Sequence, residues 1–370
     1  MVKIFSEVYK DKKVLVTGNT GFKGAWLSLW LKQMGAEVYG LSKDIPSEPS
    51  LFEIAGLAQL INHTFEDIRN LKQTVSIIES IKPDFIFHLA AQPIVKLSYD
   101  DPIETMSSNI MGTAHVLEAL RLLNFDCIAI MITSDKCYDN VEWEWGYKET
   151  DALGGKDPYS ASKGAAELMI KTYFYSYFNK PNSQVKLSAV RAGNVIGGAD
   201  WADNRLVPDM FRSWSNKEIV TIRSPYATRP WQHVLEPLSG YLKVGELLLR
   251  NKELNGLAFN FGPNSDQNKT VLDLLIEISK YWDHNNDSKM YNIIPNPNFQ
   301  EAGLLKLNCD RALHHLNWKP TMHFNETVEF TASWYNEFYN RQDINMLEYT
   351  NQQITRYIEL GSKRNSGWAK

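Results

Sequence analysis

Short apolar runs separated by stretches of helical periodicity dominate the first half of the chain. Val14–Val16, Val38–Leu41, Phe85–Leu89, Ile128–Thr133 and Val185–Val190 are apolar almost throughout, which predicts strands buried on both faces. Between them, Ala25–Met34, Leu71–Ile81, Thr105–Leu123 and Tyr159–Tyr177 repeat apolar residues at helical spacing. This alternation predicts an α/β chain built on a Rossmann-like doubly wound parallel sheet. Such sheets bind ligands beyond the C-terminal ends of their strands, so the residues that follow each strand are the candidates for chemistry. After Val190 the pattern loosens. Gly197–Arg205, Ser224–Gln232 and Asn292–Gly303 are rich in Pro, Gly, Asn and Trp, and alternate with helical stretches at Val207–Asn216, Glu236–Leu249 and Val271–Trp282. That composition predicts a smaller mixed α/β lobe for substrate, with the chain crossing between lobes more than once. Residues 1–190, joined by 232–262, are expected to form the sheet domain, and 191–231 with 263–370 the smaller lobe. Gly361 to Lys370 reads as a loosely held tail.

Composition narrows the picture. The chain has 370 residues, 44% of them hydrophobic, enough for a sizeable core in two lobes. A net charge of −4 gives no electrostatic reason to expect nucleic acid or an anionic membrane as a partner. Cys127, Cys137 and Cys309 form no CxxC pair and read as reduced thiols, with neither a disulfide framework nor a metal site expected. No stretch approaches the ~20 apolar residues of a membrane span. Met1 to Lys13 lacks the apolar core of a signal peptide, so the expected location is the cytoplasm.

The first strand runs into Gly18-x-x-Gly21-x-x-Gly24, and a helix follows. In a strand–loop–helix of this kind the first glycine permits a tight turn, the second lets the backbone approach a pyrophosphate, and the third packs helix on strand. The anion then meets unpaired N–H groups and the positive end of the helix dipole. Lys23 is followed by Gly24, not Ser or Thr, which argues against a P-loop. The third predicted strand ends in His88-Leu89-Ala90-Ala91, where small residues let a flat cofactor lie close to the backbone; core packing is the alternative, and His88 reads as a packed core histidine. The fourth ends in Thr133-Ser134-Asp135-Lys136, a polar cluster that suits catalysis, although Ser and Asp also serve turns. Asp157 and Pro158 predict a helix start, which puts Tyr159 and Lys163 on one face. A tyrosine with pKa ~10 is a poor base near neutrality, and an ammonium beside it favours the phenolate.

Together these features resemble the short-chain dehydrogenase/reductase superfamily, in its extended, nucleotide-sugar-modifying branch, from about Lys13 to Pro320. The resemblance rests on the glycine motif, Tyr159-x-x-x-Lys163, Asn109 within Asn109-x-x-x-Thr113, Arg191-x-x-Asn194-x-x-Gly197 and Arg229-x-x-x-His233. Ser134-Asp135 looks like the Thr/Ser-Asp pair of the sugar 4,6-dehydratases. Longer runs, among them Pro46–Phe52, Glu142–Tyr147 and Leu153–Lys163, resemble the group that acts on CDP-glucose.

The resemblance implies roles. Tyr159 takes the proton of the sugar C4 hydroxyl as C4 gives hydride to NAD, Ser134 holds the C4 oxygen, and Lys163 anchors the nicotinamide ribose and tunes Tyr159. Asp135, protonated, helps the C6 hydroxyl leave as water, and hydride returns to C6. Many 4,6-dehydratases place Glu where Lys136 stands, as the C5 base; the CDP-glucose group shares the lysine. Lys136 is then a neutral base, or it only pairs with Asp135 or a substrate oxygen. Cofactor contacts are expected from Gly18, Thr20, Gly21, Phe22, Gly24, Ser42, Asp67, Ile68, Leu89, Ala90, Ala91, Thr133, Tyr159 and Lys163, and substrate contacts from Asn109, Ser134, Asn194, Arg205, Arg229 and His233. Trp143, Trp145, Trp201 and Trp231 are candidates for stacking on a base or sugar. NAD is expected, although the carboxylate after the second strand, Asp44, comes slightly late and Lys43 beside it could tolerate a 2′-phosphate. The nearest rivals are a 4-epimerase, which needs no acid for a leaving hydroxyl, and a dehydratase of another nucleotide sugar; a non-catalytic nucleotide sensor is the reading from another class. Helices 105–123 and 159–177 carry the faces expected to pair in a homodimer or homotetramer, and the implied pathway makes deoxy sugars for a bacterial surface polysaccharide.

Overall fold

The apolar runs become strands with almost no exposed position, as a parallel sheet covered on both faces requires. The computed structural model describes residues 3–222, 224–264, 267–282, 290–294, 304–341 and 343–369. Its main sheet holds β1 (Lys13–Thr17), β2 (Glu37–Ser42), β3 (Asn62–Phe65), β4 (Phe85–His88), β5 (Cys127–Ile132), β6 (Val185–Ala192) and β7 (Ala258–Phe261). They lie in the order 7-6-5-4-1-2-3, all parallel, with Val14 opposite Val38 on one side and Phe85 on the other. The order reverses beside β1, and the crevice at the carboxyl ends of β1 and β4 is the ligand position of a doubly wound sheet.

The two edge strands carry no apolar run. β3 is Asn-His-Thr-Phe and mostly exposed, which an edge allows because only one neighbour must be matched. β7 is buried but interrupted by Asn260, whose side chain is needed for hydrogen bonds described below.

The sheet is covered by α1 (Phe22–Gln33), α2 (Leu71–Ile81), α3 (Pro102–Met106), α4 (Gly112–Arg121) and α5 (Pro158–Tyr173). The helix expected over 105–123 is divided by a π turn at Ser107–Met111, and the one expected over 159–177 ends in another at Phe174–Phe178. Beyond β6 come α6 (Leu206–Ser215), α7 (Leu235–Arg250), α8 (Val271–Ser279), α9 (Phe324–Asn340) and α10 (Met346–Lys363). Short strand pairs join 195–196 to 232–233, 228–229 to 269–270, and 220–222 to 291–293. Most of the loop expected at Asn292–Gly303 lies outside the described residues.

The tail expected after Gly361 is instead anchored. Trp368 is fully buried, stacked on Tyr357 with ring centroids 5.0 Å apart and on Phe5 at 5.6 Å. Its carbonyl accepts the Phe5 N–H at 3.0 Å, and its ring meets the edge of Trp30 on α1. The polar composition around it concealed how much apolar surface one indole removes from water. Trp368→Ala is expected to lower stability by about 3–5 kcal/mol in denaturant unfolding; a loss within ~0.5 kcal/mol, as for an ordinary surface site, would show that the segment is a tail after all.

Candidate active site

The glycine loop is built by contact. Gly18 has φ +75°, and a Cβ there would lie 2.7 Å from the Ala90 backbone nitrogen. A Cβ on Gly24 would fall on the Gly18 carbonyl, whereas one on Gly21 would meet only the Gly18 oxygen, at 3.4 Å. The first and third glycines are thus fixed by packing, and the second leaves an open face. Gly21 is also the N-cap of α1, with no side chain capping the first turn and no acidic residue in it, so backbone N–H groups remain for an anion. Thr20 fastens this loop to the end of β2: its N–H donates to Ser42 Oγ at 3.3 Å and its hydroxyl to the Asp44 carbonyl at 2.7 Å. Phe22 faces Gly197 across the cleft. This cradle fits a dinucleotide pyrophosphate.

The neighbouring strand ends close on it. Leu89, Ala90 and Ala91 are half-buried, and the Ala90 N–H donates to Thr17 Oγ1 at 3.2 Å. His88 is packed core: Nδ1 lies 2.8 Å from Thr17 Oγ1 and Nε2 3.1 Å from Thr113 Oγ1, and burial pushes its pKa down to about 3. Ile68 is buried against Gly112, and Asp67 holds the Arg69 guanidinium.

Ser134, Asp135, Tyr159 and Lys163 converge beyond β5. Ser134 accepts the Lys136 N–H at 3.2 Å, shaping a short 3-10 turn over Asp135–Cys137, and donates to Asp135 Oδ1 at 2.9 Å. Asp157 caps α5 through the Ser160 N–H at 2.9 Å, which sets Tyr159 and Lys163 on the inner face, the ammonium 5.9 Å from the phenol ring centre. A Cβ on Gly193 would lie 3.2 Å from Asp135 Oδ2, so the glycine after β6 leaves the carboxyl its space. All four side chains are less than a tenth exposed. Burial pushes the Tyr159 phenol up to about 12 against the pull of the Ser134 hydroxyl and Arg205. It pushes Lys163 down to about 8 against Cys137 and Glu167, and raises Asp135 against Lys136, Ser134 and Lys23. Burial therefore works against the charged form of Asp135, beside a phenol and a lysine that titrates at about 8.

Behind this cluster lies a buried ion pair that the motifs did not reveal. Glu167, one turn after Lys163, accepts Arg191 Nε at 2.7 Å and Nη2 at 2.8 Å, and Thr133 Oγ1 at 2.5 Å. Arg191 Nη1 donates to Tyr138 Oη at 2.6 Å, and Tyr138 to Asn260 Oδ1 at 2.8 Å. The spacing Lys163 to Glu167, four residues on one helix face, was the available signal. Lys23 was also missed as a site residue. Its ammonium shares the cleft with Arg205, Asp135, Lys163 and Asp200, and burial lowers its pKa to about 8.

Two residues expected to touch substrate, Asn109 and His233, are buried. Asn109 is 1% exposed; its amide donates to the Gln92 carbonyl and to Ser162 Oγ, and its oxygen accepts the Gln92 N–H, so it braces α5 against the loop after β4. His233 is fully buried between Trp26 and Phe330, and burial lowers its pKa to about 3. Both side chains point into packed surroundings. Trp201 and Trp231 likewise pack inside, while Trp143 leans on Tyr147 and Trp145 is exposed. Asn194 is half-buried past the end of β6, Arg205 donates to Asp200 Oδ2 at 2.9 Å, and Arg229 is buried with Nη1 on the Thr228 carbonyl at 2.9 Å.

Residues 15–331 match the family model described as GDP-mannose 4,6 dehydratase. The chain is 45% identical over 358 residues to CDP-glucose 4,6-dehydratase of Salmonella typhimurium, covering 96% of this chain and 98% of the relative. Among solved structures it resembles an epimerase from Methanothermobacter thermautotrophicus, with a TM-score of 0.76 and 23% identity over 91% of this chain and 95% of that one. It also resembles the dTDP-glucose 4,6-dehydratase of Bacillus anthracis in complex with NAD, with a TM-score of 0.74 and 18% identity over 89% and 98%.

The glycine geometry separates folding from ligand binding. Gly24→Ala is expected to lose about 1–3 kcal/mol of stability in the ligand-free protein, because the methyl overpacks the loop. Gly21→Ala is expected to keep its thermal midpoint and still lose dinucleotide affinity in calorimetry. Equal destabilisation by both variants would refute the open face at Gly21.

Proposed function

The chain belongs to the GDP-mannose 4,6 dehydratase family, and we propose that it is an NAD-dependent CDP-glucose 4,6-dehydratase that converts CDP-glucose to CDP-4-keto-6-deoxyglucose and water. The observation that carries this reading is Asp135, a buried acid hydrogen-bonded to Ser134 in the same cluster as Tyr159. Oxidation or epimerisation at C4 has no use for it; elimination of a hydroxyl does.

NAD, when bound along the glycine loop, supplies the hydride acceptor for C4 and the hydride donor for C6. Tyr159 removes the C4 hydroxyl proton, and Ser134 holds the C4 oxygen. The phenol needs help to ionise, because burial has raised it to about 12, and Lys163 must carry its charge to give that help. The C4 ketone acidifies the C5 proton. Asp135, whose pKa burial raises, is the acid that donates to the C6 oxygen as water leaves. Arg205 and Arg229 would meet the substrate diphosphate with the fork geometry that phosphate oxygens favour, with Asn194 beside them. In this division 1–190 with 232–262 holds the cofactor and 191–231 with 263–370 the nucleotide sugar, except that Trp368 packs on Phe5 and α1 of the first part.

No helix among the described residues is long and apolar enough to cross a membrane, and we place the enzyme in the cytoplasm. Ile103 on α3 is 74% exposed and Leu168 on α5 is 54% exposed. We read this face as the contact of a homodimer, itself able to pair into a tetramer. Light scattering should show Leu168→Glu shifted to half the wild-type mass; an unchanged mass would place the interface elsewhere.

The test of the reaction is incubation with CDP-, UDP-, dTDP- and GDP-sugars and NAD in D₂O, followed by mass spectrometry. Loss of one water with gain of one deuterium from CDP-glucose alone is the expected result. Water loss from another nucleotide would discard the base assignment, and a C4 epimer of unchanged mass would make the protein an epimerase. Asp135→Asn should slow turnover by about 10²–10⁴-fold. Lys136→Met should stop C5 deuterium exchange if Lys136 is the base; normal exchange would leave it only a pairing role. Lys163 is charged below about 8 and neutral above it, so turnover should fall as pH rises through about 8.

A further inference from the structure

A second group of charges lies at the adenosine end of the cleft. Lys43 follows β2, Asp67 and Arg69 follow β3, and Glu104 reaches both cations from α3. Lys43 Nζ donates to Glu104 Oε1 at 3.1 Å, while Asp44 is 3.8 Å away. Arg69 is gripped by Asp67, with Nε 2.9 Å and Nη2 2.5 Å from Oδ2, and its Nη1 donates to the second Glu104 oxygen. Glu104 is itself held: its N–H donates to Asp101 Oδ1 at 2.9 Å, which caps α3, and its Oε1 accepts Ser108 Oγ at 3.3 Å. Two cations thus face the three carboxylates of Asp44, Asp67 and Glu104. The hydrogen bond from Thr20 to Asp44 ties this turn to the glycine loop, so a dinucleotide laid along that loop brings its adenosine ribose here.

A ribose 2′-phosphate is accepted where a cation is uncommitted. Lys43 stands at the right place and its direct hydrogen-bond partner is Glu104. Asp44 is too distant to replace that bond, and Asp67 is already engaged by Arg69. We propose that Glu104 sets the cofactor preference of this enzyme: by neutralising Lys43 and completing the neutralisation of Arg69, it leaves a 2′-phosphate facing excess negative charge, so that NAD is bound in preference to NADP. The selecting carboxylate therefore comes from the helix after β4 and not from the end of β2. The proposal rests on the placement of NAD at the glycine loop.

The test is calorimetric titration of nucleotide-stripped protein with NAD and with NADP. In Glu104→Gln the ratio of the NADP to the NAD dissociation constant should fall by about tenfold, the scale of one partly exposed ion pair acting on a doubly charged phosphate. Lys43→Met added to Glu104→Gln should restore the ratio, and Glu104→Asp should fall between wild type and Gln. A ratio unchanged within about twofold in Glu104→Gln, with NAD still bound, would overturn the proposal alone. Loss of both dinucleotides in Glu104→Gln, with Glu104→Asp intact, would overturn it too, by making the carboxylate a requirement for binding and not for choice. A wild-type protein that binds neither would remove the glycine-loop placement and this proposal with it.

Discussion

Arg191 carries a permanent positive charge into a region that water does not reach, and much of the fold is arranged around its compensation. Removing such a charge from water costs several kcal/mol, recovered only when the geometry is good and every donor has a partner. Glu167 supplies a bidentate carboxylate, Tyr138 a hydroxyl and a ring face 4.9 Å from the guanidinium carbon. Each partner belongs to a different element, so satisfying one charge sets α5, the end of β5 and β6 in register. Asn260 extends the register outward, holding the carbonyls of Tyr147 and Asn308 at 2.8 and 3.1 Å. Lys163 and Ser134 inherit their positions from this arrangement, because they sit on the elements it locks.

The cleft in front of that pair has the opposite balance. Lys23, Lys163 and Arg205 gather around Asp135 and Asp200, and like charge adds to burial in depressing Lys23. Such a surplus suits a site that must receive the phosphates of a cofactor and of a nucleotide sugar together. It also explains a lysine in the first turn of α1, where the helix dipole alone disfavours one.

What the sequence disclosed follows the same logic of burial. β1, β2, β4, β5 and β6 were legible because two covered faces demand apolar residues without interruption, whereas β3 is an exposed edge and β7 contains Asn260. The glycine loop was legible because its turn and helix start are set within a short run of sequence, although Gly18 also meets the distant Ala90 backbone. The burial of Asn109 and His233 was not legible because a motif fixes position along the chain, while the direction of a side chain is settled by neighbours far away in sequence. The Glu167–Arg191 pair joins residues 24 positions apart and has no local signature beyond a helical spacing. The ionic group around Glu104 was hidden for the same reason, since Lys43 gave no indication of what faced it.

Trp368 closes the aromatic cluster of Phe5, Trp30 and Tyr357, which lies behind the helix that carries the glycine loop. The residues that arrive late from the ribosome therefore finish a core begun by the earliest ones. Synthesis at a few to twenty residues per second gives N-terminal units time to fold first, but here the first unit stays unsealed, with Trp30 lacking its cover, until residue 368 has emerged. During that interval the nascent chain presents an aromatic surface that Trp368 is meant to occupy, so folding of the cofactor-binding half waits for a segment made long after α1.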